Sequence, residues 1–173
     1  HRPELRDDSP QTQASFQAGH AVGDVARRLY DPQGLGTFLD ISELGVGGMV
    51  HATRQLLTRR APIFEAAFSI GQKDAGALAI ADVLLPDPDG RAWHMVEVKS
   101  STQVKDYHMD DAVIQFHIAT QAGVPLGSIK VAHIDSSWVY PGDGAYQGLL
   151  READLSAVTA ARTHFVSPLR CMK

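Results

Sequence analysis

Three apolar stretches in quick succession set the frame for this chain. Residues 63–70, 77–85 and 92–98 are rich in Val, Ile, Leu, Ala and Phe, at lengths that suit β-strands better than helices. Turn chemistry separates them: Gly71-Gln72-Lys73-Asp74-Ala75-Gly76, then Pro86-Asp87-Pro88-Asp89-Gly90. A three-stranded meander follows from that order. Each stretch is broken by a single carboxylate, Glu65, Asp82 and Glu97 in turn. An ionised carboxylate in an apolar strand is unfavourable unless it is paired or bound to a cation.

Register decides whether the three can meet. If the first hairpin is symmetric about Lys73-Asp74, paired residue numbers sum to 147 and Glu65 lies opposite Asp82. Opposed side chains share a face at ~5 Å, so two like charges there repel unless a cation lies between them. The third strand ends Val96-Glu97-Val98-Lys99. Residues two apart point the same way, which puts Glu97 beside Lys99 and turns Val96 and Val98 to the other face. Carboxylates from neighbouring strands suit Mg²⁺, which takes oxygen ligands and keeps several waters. Such a cation acidifies water and stabilises charge on a phosphate. An adjacent ammonium positions the attacking water or neutralises developing charge. The set is therefore equipped for phosphodiester hydrolysis. A lone strand carboxylate is ordinarily on a solvated face, and an E-x-K triplet is common by chance. The joint pattern carries the reading: Asp82, a Pro/Gly turn, then Glu97-x-Lys99 fifteen residues on.

Around the meander the pattern is helical. Val22, Val25, Ala26 and Leu29 form a stripe in a helix over 15–30, closed by Asp31-Pro32-Gln33-Gly34. A second helix is expected from about Gly48 to Arg59, before Pro62. A third covers 107–122 with Gly123 as its cap. A fourth strand is expected over 128–134, with 137–140 extending it or starting another. The loop Pro141-Gly142-Asp143-Gly144 follows, then a last helix over 154–164 with Asp154 as N-cap. The expected fold is α/β: a mixed central sheet of four or five strands flanked by helices. We read residues 1–173 as a single domain, with an extended arm over 1–13, a core over 14–135 and a C-terminal extension over 136–173.

Composition narrows the function classes. An apolar fraction of 44% supplies an ordinary hydrophobic core. A formal charge of −4 argues against a broad DNA-binding face, though less against a small acidic catalytic site. Cys171 is the single cysteine, so neither an internal disulfide nor a cysteine-held zinc or iron–sulfur site can form within the chain. It fits a reducing, cytoplasmic setting. No apolar run approaches the ~20 residues of a membrane span. The start at His1 lacks Met and reads as a piece of a longer protein. The eight histidines show no zinc-site spacing. Gly45-Val46-Gly47-Gly48 lacks both phosphate-loop spacings and is expected to be a flexible loop. Arg54, Arg59 and Arg60 read as a solvated helix face.

Asp82 and Glu97-Val98-Lys99-Ser100-Ser101 resemble the D…(D/E)xK signature of the PD-(D/E)XK nuclease superfamily, closest to its RecB-like branch with the CRISPR-associated exonucleases. Phe16-Gln17-Ala18-Gly19 through Ala26 is similar to that branch's first helix, residues 63–68 to its first core strand, and Asp111-Ala112-Val113-Ile114-Gln115 to the helix carrying its glutamine. The match covers roughly residues 1–135. The resemblance implies a restriction-endonuclease-like fold and Mg²⁺- or Mn²⁺-dependent hydrolysis of DNA. It makes Asp82 and Glu97 metal ligands with the Val98 carbonyl, Lys99 the catalytic lysine, and Gln115 a residue at the scissile phosphate. Asp111, one turn before Gln115, would orient Gln115 or Lys99. Apart from the resemblance, Lys105 lies in a loop six residues past Lys99, where it could contact a backbone phosphate. The branch often places a metal-binding histidine in its first helix. The aligned position here is Gly23, with His20 three residues before it, so the substitute ligand is Glu65 across the hairpin or else His20. The tyrosine often found four residues after the glutamine is Ala119 here. The alternative is a catalytically inactive nucleic-acid- or protein-binding module on the same fold. A glycosidase using the paired carboxylates would leave Lys99 without a role.

Overall fold

A computed structural model describes residues 10–71 and 76–162. It holds one mixed six-stranded sheet whose spatial order follows the chain, β1-β2-β3-β4-β5-β6. The strands are β1 (Thr37–Phe38), β2 (Ile63–Ile70), β3 (Ala77–Pro86), β4 (Trp93–Lys99), β5 (Leu126–Ile134) and β6 (Leu150–Asp154). The helices are α1 (Pro10–Tyr30), α2 (Ile41–Leu56), α3 (Asp106–Gln121) and α4 (Ser156–Arg162). The α/β class is as expected, but the sheet has six strands rather than four or five. The extra strands are β1, too short to leave a periodic pattern, and β6, whose Leu-Arg-Glu-Ala-Asp lacks a β-rich composition.

The meander forms as its composition demands. β2 pairs antiparallel with β3, and β3 with β4. The connecting residues 72–75 lie outside the described residues. α3 then crosses over to bring β5 parallel to β4, with Lys99 beside His133. Its buried positions His108, Ala112, Gln115 and Ala119 recur every three to four residues and face the sheet. Gly123, at φ 91, ends the helix: its N–H reaches the Thr120 carbonyl, and the Val124 N–H that of Ala119.

The larger core joins Met49 and Leu56 of α2 and Ala112 and Ile118 of α3 with Ile63, Leu84, Met95 and Ile129 of the sheet. A smaller cluster of Phe64, Val83, Val96 and Ala132 packs with Tyr30 of α1. Val96 and Val98 thus turn away from Glu97, as strand alternation requires.

Several expected boundaries moved. Pro10–Gln13 is helical rather than part of an extended arm; a proline in the first turn lacks only an N–H the helix does not use. The rest of that arm, residues 1–9, lies outside the described residues, as does Cys171. α2 begins at Ile41, capped by the Asp40 carboxylate on the Ser42 N–H, so the expected Gly45–Gly48 loop lies inside the helix. Gly45, at φ 62, kinks it there. Residues 137–140 are not a strand, because Asp135 folds the chain back through its carboxylate to Ser137. The stretch after 135 is no mere extension: β6 pairs along β5, and Leu155 is buried in the larger core. The last helix begins at Ser156 rather than 154: Asp154 ends β6, its carboxylate accepts the Ser156 N–H from one residue before the cap position, and the residues beyond Arg162 lie outside the described part.

Candidate active site

Register places the three carboxylates in one row. In β2–β3, Phe64 pairs with Val83 and Ala66 with Ala81, which sets Glu65 against Asp82. In β3–β4, the rung after Val83↔Val96 would set Asp82 against Glu97. Neither rung forms. Glu65 stands at φ 60, a left-handed conformation in mid-strand. Such backbone costs about 1–3 kcal/mol in a non-glycine residue, and it concentrates at functional sites. Pairing of β3 with β4 stops at Val83, and Asp82 Oδ2 accepts the Val98 N–H at 2.6 Å. A side chain stands where a backbone bond would otherwise hold the strands together.

The sheet is therefore open at this row, and a cleft of about 540 Å³ enters there. Its floor carries Glu65, Asp82, Glu97, Val98 and Lys99. α1 contributes His20, Gly23, Asp24 and Arg27, and Phe38, Asp40 and Ile41 come from β1 and the start of α2.

Electrostatics in the row are unfavourable for a bare anion cluster. Glu97 is 4% exposed. Burial first, then the Asp82 charge, push its carboxyl up to about 8, against the pull of Lys99. Burial likewise raises Asp82 to about 6, with the Val98 N–H opposing and Glu65 adding to the rise. Glu65 is raised by burial and by Glu97, with Arg27 opposing. Lys99 Nζ lies 2.7 Å from Glu97 Oε1 and 2.8 Å from Asp111 Oδ2. Burial works against its charge, but Glu97 and Asp111 outweigh it and hold the ammonium above its ordinary range. The two partners thus respond in opposite senses: Lys99 gains from the contact, while Glu97 remains hard to ionise. The Glu97 side decides the balance, because its side chain is 6% exposed against 22% for Lys99.

The other expected residues divide. Asp111 binds Lys99, one of its two expected roles. Gln115 is buried on α3 and does not line the cleft; its Oε1 has no hydrogen-bond partner. Lys105 precedes α3, its ammonium 5.6 Å from the Tyr107 ring, and is also outside the cleft lining. His20 is exposed on the cleft wall, one turn from Gly23. Asp24, Arg27 and Phe38 were not expected. The signal for the first two was the helical stripe 20, 23, 24, 27, which runs beside the apolar stripe of α1.

Among the described residues, no three His, Cys, Asp or Glu side chains are arranged as a metal cluster. Asp82 is committed to the Val98 N–H and Glu97 Oε1 to Lys99. Glu97 Oε2 is buried with no hydrogen-bond partner. A buried acceptor beside a second carboxylate is donor chemistry that fits Mg²⁺ or Mn²⁺, which need only one or two protein carboxylates.

No model of a known protein family matches the chain, and neither does any curated protein. A solved structure titled "Crystal structure of SSO0001" is similar over 89% of this chain and 70% of its own, at 12% identity and a TM-score of 0.35. That likeness is too slight to carry an argument, so the resemblance to PD-(D/E)XK nucleases stands on the residues alone. No helix among the described residues is long and apolar enough to cross a membrane.

Proposed function

We propose that this chain is a metal-dependent nuclease that hydrolyses DNA phosphodiester bonds in the cytoplasm, as the PD-(D/E)XK resemblance implies. The observation that carries the reading is the opened row: Asp82 and Glu97 side by side at a gap in the sheet, with Lys99 held next to them. A structural ion pair would give no reason for a third carboxylate, Glu65, on strained backbone in the same row.

Asp82 and Glu97 would hold the cation, with Glu65 and the Val98 carbonyl available to complete its shell. A divalent ion there would draw charge from the phosphodiester and make water nucleophilic near neutral pH. Lys99 would hold the attacking water or meet the developing negative charge through a donor that Glu97 and Asp111 leave free. Asp111 positions Lys99 through its contact with the ammonium.

The test is cleavage of end-labelled single- and double-stranded DNA in Mn²⁺, Mg²⁺ or EDTA, comparing wild type with Lys99→Ala and Glu97→Ala. Cleavage that requires metal and is lost in both variants supports the reading. A second reading, a catalytically inactive binding module on the same fold, draws on the described residues gathering no three ligands. That reading requires a folded wild type that cuts nothing and takes up no Mn²⁺ saturably.

A further inference from the structure

The cleft is short of cations. Asp24, Asp40, Glu65, Asp82 and Glu97 line it, against Arg27 and Lys99. Lys99 already donates to Glu97 and Asp111. A phosphodiester entering this cleft needs positive charge there, and Arg27 of α1 lines the same cleft, close enough to Glu65 for their charges to interact.

Arg27 is also held in a fixed pose. Its guanidinium lies 4.2 Å above the Phe38 ring, and its Nη2 donates to Asp24, one turn earlier on α1. The side chain is 33% exposed and Asp24 52%, so the pair faces the opening rather than the core. A guanidinium pinned on an aromatic face keeps its planar fork in place, and that fork matches two oxygens of a phosphate. An exposed carboxylate such as Asp24 is a weak competitor for a bidentate anion.

Building on the nuclease reading, we infer that Arg27 is a substrate-binding residue that clamps a backbone phosphate at the mouth of the cleft, with Phe38 as its rest. Its charge also offsets the repulsion a phosphate meets from Glu65. The clamp would hold the strand across the row while Lys99 serves the reacting phosphate.

The experiment measures binding of fluorescein-labelled single- and double-stranded 20-mer DNA by anisotropy, with Ca²⁺ replacing Mg²⁺, over a range of salt. It compares wild type, Arg27→Ala and Arg27→Lys, with a Mn²⁺ binding isotherm and a thermal melt for each. Arg27→Ala should weaken DNA binding about tenfold and lower the salt slope by about one, the signature of one lost phosphate contact. Its Mn²⁺ affinity should stay within about twofold of wild type. Arg27→Lys should keep the salt slope but recover only part of the affinity, since it restores charge without the fork. Unchanged DNA affinity and salt slope in Arg27→Ala would overturn the inference while wild-type cleavage leaves the nuclease reading intact. Parallel loss of Mn²⁺ and DNA binding would overturn it too, because Arg27 would then act through Glu65. A wild type that neither binds nor cuts DNA removes the nuclease reading and the clamp together.

Discussion

Replacing Glu97 by its neutral isostere separates a functional carboxylate from a structural ion pair. The native state holds the Glu97 carboxyl at about 8, whereas an unfolded glutamate titrates near 4.5. Between those values the native state binds one more proton than the unfolded state. The sign is therefore the reverse of a stabilised carboxylate: this group favours the fold at low pH, and that contribution is lost as pH rises through about 8. The slope is about 1.4 kcal/mol per pH unit while one proton separates the states. From pH 5.5 to 7.5 Glu97 alone should remove about 3 kcal/mol in EDTA, and Asp82, raised to about 6, adds to the fall. At 2–4 °C per kcal/mol for a chain of this size, that is a Tm drop of about 6–12 °C. Glu97→Gln keeps the shape and an acceptor for Lys99 but has no proton to lose, so its Tm should fall far less over the same range. The assay is differential scanning fluorimetry of both proteins across that range in EDTA; subtracting the variant removes whatever the two proteins share. A wild-type Tm that is flat or rising, with Glu97→Gln below it throughout, would refute the reasoning. Glu97 would then be ionised and its contact with Lys99 would be what the fold needs.

Three further outcomes are expected. Glu65→Gly should be more stable than Glu65→Ala by about 1 kcal/mol, measured by urea unfolding, because glycine tolerates φ 60 and alanine does not; equal stability would rule out the left-handed backbone. Thr53→Val should destabilise by about 1–3 kcal/mol in the same assay, since Thr53 Oγ1 accepts the buried Ala67 N–H at 3.0 Å and valine would leave it unpaired. The Tyr30 hydroxyl is raised by burial, with its hydrogen bond to Glu152 at 2.7 Å adding to the rise. Its folded value exceeds the unfolded one near 10, so its contribution is complete below pH 10 and lost above it. Alkaline unfolding followed by circular dichroism should be displaced to higher pH in Tyr30→Phe, and an identical profile would contradict the assignment.

The parts of this protein that sequence makes visible are those where one signal dominates. The meander was legible because turns rich in Gly and Pro bracket three apolar runs. The pairing sum of 147 also holds along β2 and β3, from Ile63↔Leu84 to Ile70↔Ala77. What the sequence could not show is that the ladder fails at Glu65 and Asp82. A positive φ at a glutamate leaves no compositional mark, and the stop of β3–β4 pairing depends on a side chain taking the Val98 N–H. α2 was misplaced for a related reason: glycines at 45, 47 and 48 lower helix propensity, yet the Asp40 cap and the burial of Met49, Thr53 and Leu56 outweigh them. The cleft wall from α1 was hidden because its residues lie far in sequence from the acidic row. Gln115 was placed by resemblance and Lys105 by its loop position shortly after Lys99, and neither lines the cleft.

Because strand order in space repeats strand order along the chain, β2, β3 and β4 meet through successive hairpins. The floor of the cleft, with the Asp111 that steadies it, is written within one uninterrupted stretch, residues 63–111. Hairpin closure alone brings Glu65, Asp82 and Glu97 into line. Such local closure is fast compared with the long-range pairing that slows many sheet proteins. The acidic row should therefore assemble early in folding, before α1 closes the far wall. During that interval three unshielded carboxylates would face one another, and millimolar divalent cation in the refolding buffer should accelerate the step that brings them together.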